Sequence, residues 1–427
     1  MGHYDAPVTE RRRPPVRGLS VPRLSWRPLG GFLGPRAADA GQSLVALTVA
    51  ALASVVAGLT LASREAQLES LPGLLLFIPA AIGMRGNVFG PLGSRLSTAI
   101  QTGEFSWTWR FDSLLGENII ATVVNSLAAG LGLAGAAELF ALAIDSEGVV
   151  PIGFSDFVII SIVGGMLASV VVLIATLGLT VASVRFGWDL DNVTAPIVTA
   201  VSDVITIPAL IASAVLVQQG DLTNIVAAIA ALVTVIGLVG LWRSGLKLAK
   251  RIVRESLPVL LAAGVLSLVA GVSIERFDDR FSWVLLVLLP GYLGSAGALG
   301  GILANRLSTG VHLGLIDRTW LPTGAARSDM GFTVALAIPI FTLLALIAQA
   351  AASLNSETSP GLLLLLAAAL SGGIVATLIA LAIAYYGTLL VVRFGLDPDN
   401  FGIPMVTATL DVVGALTLVG AVVYWGI

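Results

Sequence analysis

Residues 191–203 read DNVTAPIVTAVSD, and residues 399–411 read DNFGIPMVTATLD. Asp, Asn, Pro, Thr and Asp return in the same spacing, 208 residues on, and Arg185-Phe186-Gly187 ahead of the first copy returns as Arg393-Phe394-Gly395. Further upstream, Arg95-Leu96-Ser97-Thr98 returns as Arg306-Leu307-Ser308-Thr309 and Pro79 as Pro290, both 211 residues on. A three-residue change in loop length accounts for the drift. The chain is an internal duplication, and its fold has to be read as two copies of one unit.

Each unit is built for a bilayer. Of 427 residues 56% are hydrophobic and 11% charged, and the mean hydropathy is +0.96. No soluble domain has enough interior for so much apolar surface. Apolar runs such as 43–63 and 362–392 exceed the roughly 20 residues that cross a membrane. Hydropathy and helix breakers predict spans at about 42–62, 72–99, 117–144, 156–184, 192–217, 222–242, 256–274, 282–309, 329–353, 360–391 and 400–426. The expected fold is all-α: a polytopic membrane protein of about eleven transmembrane helices, in two parallel five-helix repeats joined by a linking helix. The repeats take residues 41–218 and 253–427, the linking helix and a basic cytoplasmic loop 219–252, and a basic Pro/Arg-rich cytoplasmic tail 1–40.

Arginine and lysine orient the bundle. With the N-terminus in the cytoplasm, Arg110, Arg185, the cluster Arg243, Lys247, Lys250, Arg251 and Arg254, then Arg318, Arg327 and Arg393 all fall inside. The opposite side takes Asp145–Glu147 and Asp221, with Arg64, Arg276 and Arg280 as its basic residues. The positive-inside rule then puts the N-terminus in and the C-terminus out of a multi-pass protein of the cell membrane. A five-span unit ends on the side opposite its start, so the linking helix returns the chain and both copies enter from the cytoplasm. That predicts a pseudo-two-fold axis along the membrane normal, with one central pathway on it.

The fifth span of each copy carries the chemistry. Asn192, Pro196, Thr199 and Asp203 lie at i, i+4, i+7 and i+11, and eleven steps of about 100° return close to the same helix face. Asn400, Pro404, Thr407 and Asp411 repeat the stripe. An aspartate at mid-membrane costs about 2.5–3.5 kcal/mol on insertion scales, and two near one axis repel. A cation between them relieves both penalties. With no cysteine and histidine only at His3 and His312, thiolate sites, His-based metal centres and Ser-His-Asp catalysis have no material. Hard oxygen ligands suit Mg²⁺ or another divalent ion, held largely through retained waters because Mg²⁺ dehydrates reluctantly. The competing reading is structural: the aspartates cap broken helices or bond neighbouring Ser/Thr.

The second span of each copy is rich in breakers, with Pro79, Gly83, Gly86 and Pro91 in the first and Pro290, Gly294, Gly297 and Gly300 in the second. Such backbone is tolerated at depth where it lines a cavity, and small residues also serve tight helix packing. Asn87 offers a carbonyl oxygen in the first copy, where the second has Ala298. Arg85, if inside the span, should pair with a carboxylate or snorkel, a local salt bridge being the favoured reading, and the second copy has Ala296 there. Arg95 and Arg306 read as anchors at the cytoplasmic rim, and Glu255 as a solvated helix start or a rim cation site. Asp189, Asp191, Asp397 and Asp399 are either helix caps or an acidic vestibule that concentrates cations.

These motifs resemble a known family. The two fifth-span stretches resemble the fifth-helix signature of the MgtE and solute carrier family 41 magnesium transporters. Pro79…Gly86-Asn87…Ser94-Arg95-Leu96-Ser97-Thr98 is similar to their second-helix signature. The tandem arrangement looks like the solute carrier branch. The resemblance implies a divalent-cation pathway between the halves with Asp203 and Asp411 facing the ion, and an asymmetric site, since Asn87 is not duplicated. About 40 residues ahead of the first span give no room for the cytoplasmic sensing domains of the bacterial members, so gating by them is not expected.

The function expected is divalent-cation transport, Mg²⁺ foremost and other divalent ions open. Asp203, Asp411 and Asn87 would be metal ligands, Asn192, Thr199, Asn400 and Thr407 would line the pore, and Asp189, Asp191, Asp397, Asp399 and Glu255 would form the vestibule. The ion is substrate and not cofactor, lipid is the surrounding partner, nucleic acid has no place, and the paired halves suit a functional monomer. A Na⁺- or H⁺-coupled exchanger is the alternative within transport. A membrane enzyme lacks a nucleophile–base pair, and a non-transporting scaffold leaves the repeated carboxylates without a purpose.

Overall fold

The computed structural model describes residues 37–63, 74–143, 153–186, 190–217, 219–275, 283–312, 316, 319–394 and 398–427. Among them run eleven helices: α1 Ala37–Ala62, α2 Leu74–Thr102, α3 Leu114–Ala143, α4 from Phe154 to Phe186, α5 Leu190–Ala214 and α6 Asp221–Arg243. The second copy follows as α7 Lys247–Glu275, α8 Trp283–His312, α9 Gly324–Asn355, α10 Leu362–Arg393 and α11 Pro398–Trp425. Nine of the described helical stretches are long and apolar enough to span a membrane. The expected tail residues 1–36, Asp189 and Asp397 lie outside the described residues.

Three local features depart from the hydropathy reading. The cluster Lys247, Lys250, Arg251 and Arg254 rides on the first turns of α7 and does not form a loop. Lysine and arginine are good helix formers, and their long stems carry the charge back to the interface. Lys250 Nζ donates to Ser244 O at 2.6 Å across the short turn from α6. Second, α2 and α8 stay helical through Pro79, Pro91 and Pro290, as membrane helices do where neighbouring groups and local adjustments satisfy the carbonyls that proline frees. Third, α4 is not uniform: Phe154–Val158 and Gly165–Phe186 are α-helical, but Ile159–Gly164 between them is a π segment.

The halves exchange their first helices. Leu47, Ala51 and Val55 of α1 belong to the apolar cluster of the second half, with Leu285, Leu289 and Leu344. Leu260 and Leu268 of α7 belong to the cluster of the first half, with Phe77, Leu133 and Phe157. The contact of α1 with α8 is close: a Cβ added at Gly58 would lie 2.2 Å from Val287 O. Equivalent glycines also set the spacing of the fourth and fifth helices. A Cβ at Gly164 would come 3.1 Å from Ala209 O, and one at Gly372 would come 2.9 Å from Thr417 O. Small residues at such crossings let backbones approach where lipid provides no hydrophobic drive for helix association.

Candidate functional site

Asp203 lies thirteen residues into α5 and Asp411 thirteen into α11, about 20 Å along each helix at 1.5 Å per residue. Both reach one cavity of about 70 Å³ between the halves. Its lining is paired by the repeat: Pro79 with Pro290, Gly83 with Gly294, Gly86 with Gly297, Asn87 with Ala298, and Asp203 with Asp411. Glycine at these positions of α2 and α8 leaves the space that a side chain would fill. A Cβ at Gly83 would lie 2.7 Å from Asp411 Oδ2.

Each carboxylate is held by the first helix of its own half. Ser54 of α1 donates to Asp203 Oδ2 at 2.5 Å, and Ser267 of α7 donates to Asp411 Oδ2 at 2.7 Å. Asp203 is fully buried and its Oδ1 has no hydrogen-bond partner among the described residues. A buried carboxylate oxygen left without a donor is costly, and a bound cation is one group that satisfies it. Asn87 Oδ1 accepts from Thr407 Oγ1, so a polar pair from α2 and α11 joins the two halves at the same cavity. The second lone pair of the Asn87 oxygen stays open to a ligand. Among the described residues no three carboxylates or histidines converge, so neutral oxygens must complete any ion's coordination.

Ser54 and Ser267 were absent from the sequence expectations although a signal existed: they recur 213 residues apart in the first spans. A membrane-helix serine ordinarily bonds a carbonyl of its own preceding turn, so sequence alone does not single these two out.

The other expected residues divide. Thr407 lines the cavity. Asn192, Thr199 and Asn400 lie on α5 and α11, and Asp191 and Asp399 in the first turns of those helices, with side chains outside the described residues. Glu255 is not at the cavity; it accepts from Arg251 Nε at 2.8 Å, one turn away on the partly exposed start of α7.

Two arginine expectations change. Arg85 was expected to pair with a carboxylate. It is fully buried, its Nη2 donates to Ser161 O at 3.3 Å, and its Nε and Nη1 have no partner among the described residues. Ser161 belongs to the π segment of α4, and such a segment puts backbone carbonyls out of α-helical register. Gly165 makes room, since a Cβ there would lie 2.0 Å from Arg85 Nη2, whereas the equivalent Gly373 faces the Phe341 ring. Arg95 and Arg306 are more than rim anchors. Arg95 Nε donates to Asn118 Oδ1 at 2.8 Å, and Arg306 Nη1 pairs with Asp329 Oδ1 at 3.4 Å. Residues 118 and 329 are 211 apart, so one α2–α3 clamp is kept in both copies with its acceptor changed from amide to carboxylate.

Two homologous helical halves, most of their helices long and apolar enough to cross a membrane, meet at a cavity lined by one aspartate from each, and together they define a multi-pass membrane protein of the duplicated type. The MgtE family model, described as divalent cation transporter, matches residues 78–213 and 289–421, one segment in each half. The chain belongs to this family. Among curated proteins it is 26% identical over 413 residues to solute carrier family 41 member 2 of Xenopus laevis, covering 88% of this chain and 70% of that one. To solute carrier family 41 member 3 of Rattus norvegicus it is 24% identical over 433 residues, covering 94% and 90%. Human solute carrier family 41 member 2 is 25% identical over 412 residues, covering 88% and 69%. No solved structure matches the chain.

Proposed function

We propose that the protein carries Mg²⁺ across the membrane through the interface of its two halves, with the ion held between Asp203 and Asp411. The observation that carries this reading is the meeting of both repeat carboxylates, each oriented by a serine of its own first helix, on one small cavity. All available donors are hard oxygens, the set that Mg²⁺ takes. Asn87 supplies a neutral oxygen on one side only, so coordination is asymmetric. The proposed topology keeps residues 41–218 and 253–427 as the two units and puts the N-terminus in the cytoplasm, on the strength of the Arg and Lys distribution.

Mg²⁺ takes about six oxygen ligands and dehydrates reluctantly, so the carboxylates and Asn87 act on it largely through waters that the ion retains.

The test is flux. Wild type, Asp203→Asn and Asp411→Asn are reconstituted in liposomes, and Mg²⁺ entry is followed with an internal dye under symmetric ions and under an imposed Na⁺ or pH gradient. Wild-type entry that either substitution abolishes supports the site, and its gradient dependence separates a passive pathway from an exchanger. Normal entry through both variants overturns the assignment.

A further inference from the structure

A second, larger cleft of about 600 Å³ opens on the outside of the first half, between α3 and α7. Met84 of α2 lies at its inner end, Gly135 and Glu138 of α3 face Gly264 of α7 across it, and its rim runs out to exposed Leu139 and Phe154. The outer surface of a helical bundle in a bilayer faces lipid, so whatever occupies this cleft enters from the membrane. Clefts of this volume are the usual size for burying a small amphiphile.

The cleft belongs to one half only. The residues 211 on from Gly132, Gly135 and Ala136 are Leu343, Leu346 and Ile347, so the equivalent face of α9 carries three bulky side chains. Glu138 answers to Gln349, whose Oε1 accepts from Ser359 Oγ at 2.6 Å and whose Nε2 donates to Ser353 Oγ at 3.4 Å. The amide is satisfied within the protein. Glu138 differs: its Oε2 is buried and has no hydrogen-bond partner among the described residues. A carboxylate oxygen set among apolar walls needs an N–H or O–H donor.

Depth specifies where that donor comes from. Glu138 is five residues from Ala143, the last residue of α3, about 7–8 Å along the axis and within reach of the headgroup layer. Met84 and Gly264 extend the cleft from there toward mid-membrane. We propose that this cleft binds one membrane lipid with a primary-ammonium headgroup, its N–H groups donating to Glu138 and an acyl chain lying along Gly135 and Gly264 toward Met84. The inference rests on membrane location alone and is independent of what the central cavity carries.

Native mass spectrometry of the purified full chain tests it, with phosphatidylethanolamine and phosphatidylcholine of identical acyl chains added in turn. Both headgroups carry a positive nitrogen, but only the ethanolamine has N–H donors. Wild type is expected to retain one phosphatidylethanolamine at about tenfold lower lipid concentration than phosphatidylcholine, the size of one hydrogen bond to a charged group. Glu138→Gln should erase that preference. Gly135→Leu should lower retention of both lipids about tenfold by filling the cleft; a Cβ there meets only Phe154 Cε2, at 4.0 Å, so the backbone accommodates it. Should Gly135→Leu fail to elute as a single species, the isosteric Glu138→Gln and the comparison of the two lipids decide the matter. Equal retention of both lipids by wild type, an unchanged preference in Glu138→Gln, or displacement of the lipid by free ethanolamine overturns the proposal.

Discussion

Substituting Gly83 with alanine adds one methyl group where the second half's carboxylate already sits. Its Cβ would lie 2.7 Å from Asp411 Oδ2 and 3.3 Å from Ser267 Oγ. Carbon and oxygen settle at about 3.3–3.6 Å, so Asp411 has to withdraw by roughly 0.6 Å or more. Its bond from Ser267 is 2.7 Å, and a retreat of that size away from the serine takes it past normal hydrogen-bond length. A hydrogen bond to a charged group is worth about 1.5–3 kcal/mol, so the Mg²⁺ concentration for half-maximal flux should rise by about one to two orders of magnitude. Gly237 of α6 is not part of the cavity lining, and a Cβ there meets nothing within 4 Å. Gly237→Ala is therefore the control, expected to keep wild-type half-saturation in the same liposome assay. Wild-type behaviour of Gly83→Ala, or an equal loss in Gly237→Ala, refutes the placement of Asp411 beside the ion.

Ser54→Ala should raise half-saturation by about tenfold and more than Ser267→Ala does, because Asp203 is fully buried and its other oxygen lacks a partner among the described residues, while Asp411 is only half-buried; equal effects in liposome flux would refute that ranking. Asn87→Ala gives the first half the side chain of Ala298 and frees Thr407; a drop of about two- to tenfold in Mg²⁺ affinity with an unchanged unfolding temperature is expected, and no change removes Asn87 from the ligand set. Arg306→Ala loses both the pair with Asp329 and the Phe332 ring at 4.4 Å. Removing one partner of a buried pair costs about 3–5 kcal/mol and should lower the unfolding midpoint by several degrees, whereas Arg110→Ala, at an exposed pair with Asp112, should leave it unchanged.

The second-half stripe was legible because a helix has a fixed period. Thr407 and Asp411 share a face by spacing alone, and both reach the cavity. The duplication was legible because motifs such as Arg95-Leu96-Ser97-Thr98 survive as contiguous words. Hydropathy set the number of helices but misread the start of α7, since a charged first turn extends a helix without adding apolar signal.

Sequence by itself determined the membrane class, the repeat and its pairing of Asp203 with Asp411, which follow from composition, period and offset; the divalent-cation family came from the resemblance of the second- and fifth-span motifs to a known signature. Tertiary structure alone decided that α1 and α7 exchange partners, that Ser54 and Ser267 orient the carboxylates, and that Arg85 bonds a π-segment carbonyl. It also left an open cleft beside Glu138, where the other half carries Leu343, Leu346 and Ile347. Each of these depends on which helix faces which. In a bilayer that choice is made by close packing and by the need of every buried polar atom for a partner, and neither is written in the hydropathy of a single span.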